Sequence, residues 1–251
     1  MALFDRFAAD YDLWYETPLG REVDRLERDL FNTIAGPKPG ERVLDAGCGT
    51  GRLCLELAEL GLIVLGVDIS GKMLDEARRK TAGYPRVDLI QADINRIPFP
   101  SQTFDLVTAF TVLEFSAHPE TAVRELWRLV RPKGRLVIAV LNAYSPWAVH
   151  RRRRAAGGES VFSYARFYRP WELISLIGRV TGEERITWGS TVFIPPSGGI
   201  LSVSLARPID RVGRTVLKPF GALLVMRVDK TRIRQTVRTD QHLPHLCPEA
   251  H

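Results

Sequence analysis

The spacing of apolar residues changes its period along this chain. Val23, Leu26, Leu30 and Ile34 recur every three or four positions, which predicts one face of an amphipathic helix. Gly36, Pro37, Pro39 and Gly40 then stop it. Beyond them, short apolar runs alternate with helical stretches. RVLDA reads as a strand, RLCLELAEL as a helix with Leu53, Leu57 and Leu60 on one side and Gly61 as its stop, and LIVLGVD as a strand. Ser70 is placed to cap the helix GKMLDEARRK. VDLIQAD, FDLVTAF and RLVIAVLN read as further strands. PETAVRELWRLV is the helix between the last two, ended by Pro132 to Gly134.

After Asn142 this rhythm breaks. AYSPWAVHRRRRAAGGES reads as a loop-rich insertion. RPWELISLIGRVTG returns to helix, with Pro170 near its start. ERITWGSTVFIPP and GALLVMRVDK read as two late strands forming an antiparallel pair, and the polar tail from Thr231 is expected to be disordered. Upstream of the first helix, FDRFAADYDLWYETPLG is aromatic-rich and lacks a regular period. No internal repeat is visible. Strands alternating with helices of this length predict an α/β fold: a doubly wound, Rossmann-like sheet, mostly parallel with an antiparallel C-terminal pair, helices on both faces. The expected organisation is one domain over residues 1–230. Residues 1–40 form its N-terminal segment and helix, 41–142 its core, and 143–220 insertions on the substrate side.

Composition narrows the class. The chain has 251 residues, 45% hydrophobic and 25% charged, as expected of a globular protein with a sizeable core. No apolar run reaches the ~18 residues of a membrane helix. The start, MALFDRFAADYD, lacks a basic-then-apolar signal pattern. Cys48, Cys54 and Cys247 form neither a disulfide framework nor a metal-ligand spacing, so no metal is expected and a reducing cytoplasm is the default location. The net charge of +6 is unevenly distributed. Residues 1–150 hold 18 Lys and Arg against 21 Asp and Glu; residues 151–251 hold 17 against 8. Such an excess suits an anionic membrane surface, a nucleic acid or an acidic substrate.

The chemistry concentrates in VLDAGCGTGRL, residues 43–53. Gly47, Gly49 and Gly51 let backbone approach a ligand or take positive φ. A dinucleotide turn would place its third glycine at position 52, where this chain has Arg52. Three predicted strands end in acids: Asp45, Asp68 and Asp93. Ligands of open α/β sheets bind at strand carboxyl ends. Acids there would repel a pyrophosphate and suit hydroxyls and positive charge. S-adenosylmethionine has an ammonium, a sulfonium and a ribose diol, and no phosphate. Asp68, 17 residues past Gly51, can accept both ribose hydroxyls.

VLDAGCGTG, GVDIS, QADINRIPFPSQTFDLV and LWRLVRPKGRLVIAV, in that order, resemble the successive motifs of class I S-adenosylmethionine-dependent methyltransferases, in particular the small-molecule group that includes ubiquinone and menaquinone biosynthesis methyltransferases. The resemblance covers residues 41–142. It implies that Gly47 to Gly51, Cys48 included, wrap the methionine part of the cofactor, that Asp68 holds the ribose, and that Asp93 and Ile94 flank the adenine, with Ile69 and Met73 packing on it. Tyr11 and Tyr15 resemble the N-terminal aromatic lid of related enzymes. Each has a plainer reading: Asp45 as a cap of the turn, Tyr11, Trp14 and Tyr15 as core cover, Cys48 as a small residue without chemistry, and His118 as a solvated side chain.

Glu114 and Phe115 follow the fourth strand, where the substrate end of a pocket should begin, and Glu114 is a candidate for orienting substrate or for catalysis. Arg151 to Arg154 read either as a solvated run or, overhanging the pocket mouth, as contacts to an acidic acceptor or an anionic membrane surface, with Arg151 and Arg152 as the substrate-contact candidates. Methyl transfer to a small acidic or lipophilic acceptor is the leading expectation. RNA methylation is disfavoured, since the stretch after the fourth strand reads TVLEF rather than an Asn/Asp-Pro-Pro-aromatic motif, and no cysteine lies between Cys54 and Cys247. Arg52 and the lack of a Tyr-x-x-x-Lys pair disfavour an NAD-dependent reductase. A binding protein without turnover is the remaining alternative, and fold alone does not separate it from an enzyme.

Overall fold

The computed structural model describes residues 2–157, 160–197, 199 and 203–231. The predicted tail, from Arg232 onward, lies outside the described residues; Thr231 itself is anchored, its Oγ1 donating to Glu183 at 2.9 Å.

Among the described residues seven strands form one sheet in the order β3-β2-β1-β4-β5-β7-β6. The strands are β1 Arg42–Ala46, β2 Ile63–Asp68, β3 Val87–Gln91, β4 Phe104–Phe110, β5 Val130–Leu141, β6 Ile186–Thr191 and β7 Leu223–Asp229. β1 to β5 pair in parallel. β7 runs antiparallel to both neighbours, with Leu141 opposite Leu223 and Thr191 opposite Leu223. The sequence order therefore reverses direction at β1, between β2 and β4, and crevices open outside strand ends at such a point.

The helices are α1 Leu13–Glu16, α2 Pro18–Ala35, α3 Arg52–Glu59, α4 Gly71–Thr81, α5 Pro119–Leu129, α6 Pro146–Ala156, α7 Pro170–Thr181 and α8 Ala206–Val216. The two-residue period of β1 sorts its side chains between layers. Leu44 and Ala46 belong to the core shared with α5 and α7. Val43 joins Leu30, Phe31, Leu57 and Leu74 under α2, α3 and α4. Asp45 falls on this second face, beneath α3, where its Oδ2 accepts from Cys54 Sγ at 3.3 Å.

Local signals account for most boundaries. The Thr17 hydroxyl accepts the Gly20 amide at the start of α2, and Gly36 ends that helix at φ 54°. Ser70 Oγ accepts the Met73 amide at 3.1 Å, as the sequence predicts. Three expectations need correction. The insertion after Asn142 is not loop-rich: it contains α6. Ser145 caps this helix through the Ala148 amide, Pro146 takes its first position, and Trp147 and Ala148 are buried against the body. Pro132 to Gly134 do not end α5, which stops at Leu129; they lie in the irregular start of β5. The aromatic N-terminus is not irregular throughout, since 3-10 turns at Leu3–Arg6 and Ala8–Asp10 lead into α1.

Candidate active site

A cavity of about 350 Å³ opens over the carboxyl ends of β1, β2 and β4. The glycine turn is its floor. Gly47, Gly49 and Gly51 all have positive φ, at 75°, 53° and 77°, which is why glycine is needed at each. Their surroundings differ. A Cβ on Gly49 would meet nothing within 4 Å, so the turn leaves room on the cavity side. A Cβ on Gly51 would press on Ala77 of α4 at 2.9 Å; Gly51 serves helix packing and is absent from the cavity lining.

Asp68 closes the turn. Its Oδ2 accepts the Gly49 amide and its Oδ1 the Ser70 amide, both at 2.8 Å. Burial raises its pKa, while those amides oppose the rise. Asp45 lines the same cavity but does not cap the turn. Its Oδ1 is buried without a partner, and burial, opposed by the Cys54 hydrogen bond and reinforced by Asp68, pushes its carboxyl up to about 7. Although Cys54 hydrogen-bonds it, Cys48 is held above its ordinary pKa by burial and by Asp45 and Asp68, so the thiol stays protonated. Asp93 lies two residues beyond β3, exposed, accepting from the Asn95 amide and side chain at 2.8 Å. Ile69, Met73 and Ile94 complete this wall.

The opposite wall comes from the N-terminus. Tyr11 and Tyr15 line the cavity, and Phe4 packs edge-on against Phe115 at 4.8 Å. Ser70 Oγ donates to Asp5 at 2.6 Å, and Thr50 Oγ1 to Asp12 at 3.1 Å. Arg52 explains its place after the glycines: it pairs with Asp24 of α2 at 2.7 Å and lies 4.1 Å from the Tyr15 ring centre, joining turn, α2 and N-terminus.

Glu114 and the arginines sit elsewhere than expected. Phe115 lines the cavity; Glu114, Arg151 and Arg152 do not. Glu114 turns inward, 2% exposed, and its Oε1 accepts the Leu141 amide at 2.6 Å. Burial pushes it up to about 8. The helix splays the arginine run, since successive residues point about 100° apart. Arg151 is 8% exposed, its guanidinium 5.1 Å from the Trp147 ring centre and 5.2 Å from that of Phe162. It faces the buried Glu27 and Glu114. Arg152 is exposed beside Phe167, and Arg153 and Arg154 are exposed. His118 is exposed ahead of α5.

Sequence reasoning missed Asp24 and Arg28 on α2, and Phe110 at the end of β4 with Thr111 and Val112 just past it, all of which line the cavity. Thr111 has φ 49°, a conformation a β-branched residue takes only under constraint. The missed signal was the strand end itself, because residues just past a parallel strand border the crevice.

The cavity suits the cofactor named by the motifs. Asp24, Asp45, Asp68 and Asp93 give it acidic walls, Asp45 keeps an unpartnered acceptor, and Arg52 and Arg28 are engaged with Asp24. That donor set fits a cationic ligand with hydroxyls.

Comparison with known proteins agrees. Residues 44–138 match the family described as Methyltransferase domain. The chain is 37% identical over 137 residues to a demethylmenaquinone methyltransferase of Clavibacter sepedonicus, covering 55% of this chain and 56% of that protein. It is 35% identical over 145 residues to a ubiquinone/menaquinone biosynthesis C-methyltransferase of Pseudomonas fluorescens, covering 54% and 55%. The chain thus spans somewhat more than half the length of these relatives. A crystal structure of an S-adenosylmethionine-dependent methyltransferase of Thermotoga maritima superposes with a TM-score of 0.71 at 23% identity, over 91% of this chain and 98% of that one, a likeness of fold. The motifs, the sheet order and the domain match together identify a class I S-adenosylmethionine-dependent methyltransferase domain. Among the described residues no helix is long and apolar enough to cross a membrane.

Proposed function

We propose that this protein transfers a methyl group from S-adenosylmethionine to a small lipophilic acceptor. The observation that carries the reading is the mixed lining of the cavity. It holds two sets of side chains: acids around the glycine turn, Asp45 and Asp68, and aromatic and apolar ones, Phe4, Phe110, Val112 and Phe115. The first suits the cofactor and the second an apolar ring or chain. The names of the quinone-pathway relatives support an acceptor of this kind.

The sulfonium supplies an already activated methyl group, so the protein's work is alignment. Asp68 would hold the ribose diol, Asp45 would face the cationic end, and Tyr11, Tyr15 and Phe115 would exclude water while orienting the acceptor. Such positioning supplies ~7–11 kcal/mol in well-aligned reactions. The test is incubation with S-adenosylmethionine carrying a labelled methyl group, followed by mass spectrometry of organic extracts from a cell lysate. Label in an extractable small molecule is expected. Folded protein that fails to bind S-adenosylmethionine in calorimetry would overturn the reading.

A further inference from the structure

Helix α8 leaves its apolar stripe uncovered. The residues it buries against the body are Ala206, Asp210 and Gly213. Asp210 is the staple: it accepts the Val192 amide at 2.7 Å and the Thr191 hydroxyl at 2.9 Å, and pairs with Arg214 at 2.5 Å. At Gly213 the Phe193 ring comes so close that a Cβ would meet it at 2.3 Å. The apolar residues lie about a quarter turn away from that buried side. Leu205 at the N-cap, Ile209, Val212 and Val216 recur at spacings of four, three and four, which places them in one sector of the helix. All four are exposed, Val212 at 61% and Val216 at 71%. A helix that only covered a core would bury this stripe and expose Asp210.

The stripe extends beyond the helix. Leu217 and Phe220 are exposed; the Phe220 ring lies 6.4 Å from Tyr144, and Tyr144 lies 5.2 Å from the exposed Trp171. Cations stand at the Tyr144–Trp171 end of this face. Arg152, Arg166 and Arg169 border one surface pocket with Tyr144 and Trp171, and the Arg169 guanidinium lies 5.9 Å from the Tyr144 ring centre.

We propose that α8, continued by Phe220, Tyr144 and Trp171, is a docking face for the surface of an anionic lipid bilayer. The apolar stripe enters the boundary between headgroups and acyl chains, Trp and Tyr sit at the headgroup level, and arginine side chains reach the lipid phosphates. Charge selects this occupant over a second copy of the chain, because a symmetric pairing would set two basic faces against each other. In this proposal α8 makes the apolar contact, and of the arginine run Arg151 takes no part because it is buried, while Arg152 to Arg154 are exposed. The proposal rests on the lipophilic-acceptor reading for its purpose: a protein docked this way meets an acceptor dissolved in the bilayer.

The experiment is vesicle flotation of the full chain with phosphatidylglycerol–phosphatidylcholine vesicles and with phosphatidylcholine alone, across a salt series. Wild type should float with the anionic vesicles, about tenfold more weakly with the neutral ones, and less as salt rises. Val212→Ser/Val216→Ser should cut flotation about tenfold and Val212→Glu/Val216→Glu should abolish it. Melting temperature and S-adenosylmethionine affinity should stay unchanged in both, because these side chains are exposed. Equal flotation of wild type and variants, no flotation of wild type, or a concentration-dependent dimer by light scattering that the variants dissolve would overturn the proposal. Failure of wild type to bind S-adenosylmethionine would sink the methyl-transfer reading and leave the vesicle result to be judged separately.

Discussion

Asp68 ties the tip of β2 to the glycine turn, its Oδ2 accepting the Gly49 amide at 2.8 Å. Each carboxylate oxygen spends one lone pair on the backbone and keeps another for a ligand. Asp68→Ala should weaken S-adenosylmethionine binding by about one to a few kcal/mol, the scale for lost hydrogen bonds to a charged group. Calorimetry on variant protein that melts cooperatively checks this; unchanged affinity would refute the ribose assignment.

Asp45 makes cofactor binding depend on pH. Its carboxyl titrates at about 7 without ligand. A cation beside it favours the ionised form, so below that pH binding must release a proton. Affinity should therefore be level above about pH 8 and fall as pH drops, by up to about tenfold per unit once Asp45 is protonated. Asp45→Asn should flatten the profile. Calorimetry in buffers of different ionisation enthalpy at about pH 6 reads the released proton directly, and a binding heat independent of buffer would contradict the assignment.

The N-terminal wall is held by few ties: Asp5 to Ser70, Asp12 to Thr50, and Arg52 over Tyr15. A ligand in the cavity would add apolar contact to Phe4, Tyr11 and Tyr15. Hydrogen exchange of residues 7–17 should slow on addition of S-adenosylmethionine. Identical exchange with and without it would favour the plain core-cover reading of these aromatics.

The buried acids Glu27 and Glu114 set the pH dependence of stability. Burial pushes them up to about 7 and about 8, against about 4.3 in an unfolded chain. The folded protein thus holds these protons more tightly, so their contribution is fully present below about pH 4 and is lost as pH rises through 7 to 8. Glu27→Gln and Glu114→Gln should each shrink the loss of stability between about pH 5 and pH 8. Glu114→Gln keeps an oxygen for the Leu141 amide, which limits its own cost. Denaturant unfolding at the two pH values measures the difference, and wild-type stability that rose over this range would count against the shifts.

Much of the fold was legible because the core obeys local rules. Period-two and period-3.6 apolar patterns, Ser70 as a cap and Gly36 as a stop all lie in short windows, and the structure follows them. The glycine turn and Asp68 were legible for the same reason: turn, strand tip and helix start are adjacent in sequence. Asp24 and Arg28 were not, since α2 reaches the cavity only through tertiary packing. Arg151 misled because four arginines in a row suggest water. The sequence does not announce that a helical twist sends the first of them between Trp147 and Phe162 toward two buried acids. Glu114 misled likewise, as its position after β4 says nothing of which way its carboxylate turns.

The last of the described strands to arrive, β7, is inserted between two that arrive earlier, β5 and β6. During synthesis, Arg135 to Leu141 must wait with an unpaired outer edge until residues 223–229 have left the ribosome. Until then β6 has no neighbour at all in the sheet. An open edge of this kind, apolar from Leu136 to Leu141, is a template for pairing with other chains. The nascent protein is thus exposed to misassembly until residues 223–229 emerge, and a chain cut short of Leu223 would keep that exposure permanently.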